Sequence, residues 1–114
     1  MRKYVTQNKT YDVQRTGDKE RIRASSGRNE GKYYEVVGFA PPTANIYTIY
    51  MSDQLVIYQD HREIDYDKLP DILEKRPAPG ARIIARLVNE KGEIAPRSAP
   101  DNIMITSSIT KIEE

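Results

Sequence analysis

Between Ile46 and Tyr58 the chain reads as two β-favouring runs separated by the polar pair Ser52-Asp53, a pattern that predicts a tight hairpin. Pairing outward from that turn sets Tyr50 opposite Leu55, Ile49 opposite Val56, Thr48 opposite Ile57 and Tyr47 opposite Tyr58. Strand side chains alternate, so Tyr47, Ile49, Met51, Val56 and Tyr58 share one face, and Ile46, Tyr50, Leu55 and Ile57 the other. Both faces are largely apolar. The hairpin is therefore expected to be covered on both sides or to sit in a strongly curved sheet.

Shorter alternating patterns over 3–7 and 9–14, around Tyr4, Tyr11 and Val13, predict edge strands, and Thr16-Gly17-Asp18 a turn. A weak strand over 20–24 has only Ile22 clearly apolar, and 25–31 reads as a loop by composition. The next strand, 32–39, stops at Pro41-Pro42 because proline has no amide hydrogen to give to a ladder. One short α-helix is expected near 68–76, with Asp67 as its cap, Pro70 in its first turn and Leu69, Ile72 and Leu73 as its apolar stripe. At about two turns it must dock on the sheet to persist. A strand over 81–88, a turn at Asn89–Gly92, a short return over 93–95 and a last strand from Ile103 through Ile112 complete the chain. These elements imply a mainly β fold, 1–114 as a single domain, a small barrel or sandwich, SH3-like or OB-like in scale.

Composition narrows the chemistry. The 114 residues include no cysteine, which excludes disulfides, thiolate metal sites and a cysteine nucleophile. No apolar run reaches the roughly 18 residues of a membrane span, and the first residues lack the apolar segment of a signal peptide. The expectation is a cytoplasmic protein with no membrane partner.

The formal net charge of +1 hides a partition. Residues 1–32 carry nine Lys/Arg against four acids, a net of +5, whereas 33–114 carry nine against thirteen, a net of −4. A basic segment of strands or arm over 1–30 on an acidic β-rich body over 32–114 suggests an anionic partner or head-to-tail self-association.

His61, the single histidine, lies among Asp60, Glu63, Asp65 and Asp67. In an extended segment His61, Glu63, Asp65 and Asp67 would share a face, but their spacing matches no metal signature, and no metal or other cofactor is assigned. Phosphate-binding glycine loops and a nucleophile elbow are also absent from the sequence. The stretch from Tyr50 to His61 superficially resembles the strand ending in Asp-His of barnase-like ribonucleases, with Glu35 as an upstream base. That family places arginines between its glutamate and its histidine, and here none lies between Glu35 and His61, so no family is assigned.

The reading that follows is a non-enzymatic protein acting through protein–protein contacts, by self-association or on another protein. In profile it resembles small phage-type structural or inhibitor proteins. The residues expected to bind are Arg2, Lys3, Arg21, Arg23, Arg28, Lys32, Tyr33 and Tyr34, with no catalytic residue. The alternative uses the same patch for single-stranded nucleic acid, tyrosines stacking on bases and cations following the backbone. A small hydrolase built on Glu35 and His61 stands third.

Overall fold

The computed structural model describes residues 2–27, 30–99 and 102–114. Strands β1 (Arg2–Thr6), β2 (Thr10–Thr16), β3 (Lys19–Ala24), β4 (Tyr33–Ala40), β8 (Arg82–Val88) and β9 (Ile103–Glu113) pair antiparallel in the order β1-β2-β3-β4-β8-β9. The sheet closes on itself where β1 pairs with β9. It is not a regular barrel: the ladders slip between Val5 and Thr6, Val36 and Gly38, and Arg82 and Ile84. Bulges of this kind bend strands and let a small sheet turn its corners.

Alternation along the staves gives two cores. Tyr4, Tyr11, Val13, Ile22, Ala24, Tyr34, Phe39, Ile83, Ala85, Met104 and Ile109 point inward and fill the barrel, with the Tyr4 and Phe39 rings edge to face at 5.8 Å. The basic segment over 1–30 thus supplies three staves of the barrel, tied to its own sheet. Its apolar residues are few, but a stave needs only every second one.

The second core lies outside the barrel wall. Ile84 and Ile103, one residue out of phase with Ile83 and Met104, face outward and pack under a separate sheet. That sheet has the order β5-β6-β7, from β5 (Ile46–Met51), β6 (Gln54–Gln59) and β7 (Arg62–Ile64). Ile46, Leu55 and Ile57 form its underside. The β5–β6 register is the one expected from the sequence, Tyr47 opposite Tyr58 through Tyr50 opposite Leu55. Ser52 and Asp53, with φ of 48° and 65°, make the two-residue turn whose twist suits a hairpin. Asp60 and His61, at φ 51° and 70°, repeat the device between β6 and β7.

A 3-10 turn, Tyr66–Lys68, and α1 (Leu69–Ile72) follow, with the Asp65 carboxylate accepting from the Asp67 N–H at 3.1 Å. The helix takes up only the first part of the 68–76 window. Leu73 is already extended, because the next residue is drawn onto β4: Phe39 and Glu74 exchange two backbone hydrogen bonds of 2.9 Å. Gly38 makes that approach possible, since a Cβ there would stand 2.5 Å from the Leu73 Cβ. Among the described residues no helix is long and apolar enough to cross a membrane.

Candidate functional site

The residues expected to form one basic, tyrosine-bearing patch come together only in part. Tyr34 is fully buried inside the barrel, so its ring is not at the surface. Arg2 sits at the barrel mouth, paired with Glu114 at 3.1 Å and Glu20 at 3.7 Å. Lys3, Arg21, Arg23 and Tyr33 lie on the outer wall, where antiparallel pairing interleaves the charges. Asp12 pairs in register with both Lys3 and Arg23, and Arg21 with Glu35. Lys3 approaches Asp12 at 3.9 Å and Lys19 approaches Glu35 at 3.5 Å. Arg23 lies over the Tyr33 ring, 5.5 Å from its centroid. Lys32 is exposed beside the end of β8, and Arg28 falls outside the described residues. On this wall Asp12 and Glu35 therefore interrupt the basic residues.

Nor do Glu35 and His61 meet. Glu35 is on the barrel wall with Lys19, and His61 is in the turn of the other sheet, its Nδ1 3.1 Å from the Tyr47 hydroxyl. The turn at Asp60-His61 and the 3-10 turn at Tyr66–Lys68 break the extended run that would align His61, Glu63, Asp65 and Asp67. Among the described residues no group of histidine and carboxylate side chains is placed to hold a metal.

Two features lie outside the expected basic patch. One is a cleft at the barrel mouth, about 490 Å³, where Arg15, Lys75 and Arg76 converge across Val36 and Phe39. Asp18 and Glu20 line it too and offset most of its positive charge. The other is the upper face of the β5–β6 hairpin: the sequence called for cover on both faces or a strongly curved sheet, and the barrel packs against the underside through Ile46, Leu55 and Ile57. On that upper face Ile49 and Met51 are 43% and 48% exposed. Beside them the Tyr47 and Tyr58 rings stack at 5.4 Å, the Tyr58 hydroxyl reaches the Met51 sulfur at 3.8 Å, and His61 closes one end.

This face is held rigidly from below. Arg86 and Arg97 sandwich the Tyr66 ring, each 4.7 Å from its centroid. Arg97 also donates to the Leu55 carbonyl at 3.1 Å, Arg82 to the Ile46 carbonyl at 3.4 Å, and Tyr50 to the Ser98 carbonyl at 2.9 Å. Chemically the face offers flat aromatic and flexible apolar surface with hydroxyl groups at its rim, a composition suited to a protein partner.

Compared with models of known protein families, with curated proteins and with solved structures, the chain matches none.

Proposed function

We propose that this protein is a non-enzymatic binding module whose docking surface is the outer face of the β5–β6 hairpin. The observation that carries the reading is the exposed pair Ile49 and Met51 beside the half-buried, stacked rings of Tyr47 and Tyr58, on a sheet anchored to the barrel by its other face. Contiguous exposed apolar surface of this kind marks interaction sites, and aromatic residues and methionine are enriched where proteins meet. The barrel then serves as the rigid support.

A photo-crosslinking side chain placed at Ile49, in the cells that make the protein, tests this against the same probe at Gln14 on the far barrel wall. The reading expects a discrete protein adduct at Ile49, identified by mass spectrometry as either a second copy or another protein, and none at Gln14. Equal or absent adducts at the two positions contradict it.

The nucleic-acid reading is favoured by one observation, Arg23 against Tyr33 on the outer wall. It expects affinity for a short single strand that falls steeply with salt as counterions are released; a flat response removes it.

A further inference from the structure

The hairpin has a free side as well as a free face. In the order β5-β6-β7, β5 has one neighbour, and among the described residues no strand lies beyond it. Which of its backbone groups point outward follows from the turn. A two-residue hairpin loop makes the closing pair, Met51 and Gln54, a hydrogen-bonded one, and the pattern alternates from there. Two bonds confirm the phase. The Asp60 N–H donates to the Asn45 carbonyl at 3.0 Å within the hairpin, and the Leu55 N–H turns away from β5 to the Arg97 carbonyl at 3.4 Å. Tyr47, Ile49 and Met51 therefore bond to β6, while Ile46, Thr48 and Tyr50 present their N–H and C=O groups to the open side. Among the described residues, the Ile46 carbonyl is already engaged there, by Arg82.

Exposed sheet edges are normally protected by a charge, a proline, a bulge or a very short strand. β5 has none of these: six residues, no charge, no proline, and an unbroken register with β6. An edge so composed is a template for another strand. Its outward groups, at 46, 48 and 50, are also symmetric about Thr48. Two antiparallel copies with Thr48 opposite Thr48 bring outward groups onto outward groups at every bonded position. Ile46 then faces Tyr50, Tyr47 faces Ile49, and Asp53 falls opposite the uncharged Thr43 instead of a like charge.

From this we infer that the occupant of the β5 edge is a second copy of this chain, the two hairpins joining about a two-fold axis at Thr48 into one six-stranded sheet. This inference rests on the docking surface proposed above and names its partner. In the joined sheet the Tyr47 and Ile49 side chains of the two copies meet, so the exposed face becomes continuous across the axis. The two β7 strands end five strand spacings apart, about 24 Å.

Sedimentation of the full chain over a wide concentration range is expected to show reversible monomer–dimer exchange. Thr48→Pro removes an outward N–H without touching the β5–β6 ladder, a position where an edge strand tolerates proline. Ile49→Lys adds the missing protective charge. Each is expected to weaken the dimer at least tenfold, while Glu63→Lys on the opposite edge leaves it unchanged. The absence of native cysteine permits single spin labels: Ile49→Cys should report a backbone separation of about 8 Å across the axis, and Glu63→Cys about 24 Å. A chain that stays monomeric, a dimer insensitive to both β5 variants, or a shorter distance at Glu63 than at Ile49 overturns the inference. If such a monomer still cross-links another protein through Ile49, the docking surface stands and only the identity of its occupant is wrong.

Discussion

The Tyr47 and Tyr58 rings lie nearly parallel across the β5–β6 ladder, their centroids 5.4 Å and their planes 11° apart, on the face turned away from the barrel. Directly opposed residues on one face are the unit of sheet stabilisation. Here the pair also fixes the shape of the exposed surface, because Met51 rests on one hydroxyl and His61 on the other.

Removing one ring of that pair tests its weight. Tyr58→Ala is expected to lower unfolding stability by about 1 kcal/mol beyond the lost burial, the scale of an aromatic pair. Urea unfolding measures the loss. The barrel resonances of Tyr4, Ile22 and Ile83 should be unmoved, since those side chains belong to the other core.

Gly38→Ala probes how α1 is delivered to the barrel. The added methyl meets the Leu73 Cβ at 2.5 Å and the Glu74 carbonyl at 3.0 Å, both held by the Phe39–Glu74 bonds. Overpacking of this kind costs about 1–3 kcal/mol. The amides of Phe39 and Glu74 should lose hydrogen-exchange protection together.

Alkaline stability should be limited by Tyr4 and Tyr11. Burial pushes both phenols above their ordinary value, and for Tyr4 a 2.6 Å hydrogen bond to the Glu20 carboxylate adds to the effect. A folded value above the unfolded one means that their contribution is complete below about pH 10 and is lost as pH climbs toward the folded value. Denaturant midpoints measured from neutral into alkaline pH should fall above pH 10, and Tyr4→Phe should flatten that fall.

The fold was largely legible in the alternation of side chains. Ser52-Asp53 supplied the turn, and turn chemistry fixes register, so the β5–β6 pairs came out residue for residue. The segment over 1–30 was read as edge strands or an arm, and Tyr4, Tyr11, Val13 and Ile22, falling at alternate positions of its strands, join it to the barrel core. The helix shortened because pairing of Glu74 with Phe39 competed with another helical turn, a tertiary contact no local pattern records.

The proposed docking surface was less legible. Charge summed along the chain ignores pairing, and antiparallel register set Asp12 beside Arg23 and Glu35 beside Arg21. The signal that mattered was the hairpin with two apolar faces. What the sequence did not reveal was that the barrel covers only one of them.

Amide hydrogen exchange along β5, with the chain dilute and then concentrated enough to assemble, tests the central claim most directly. The prediction is an alternating response: the Thr48 and Tyr50 amides, open in the monomer, gain protection on assembly, while those of Tyr47 and Ile49, already bonded to β6, change little. Exchange that is the same in both conditions, or protection gained only on the barrel strands, would contradict pairing of two copies through the β5 edge.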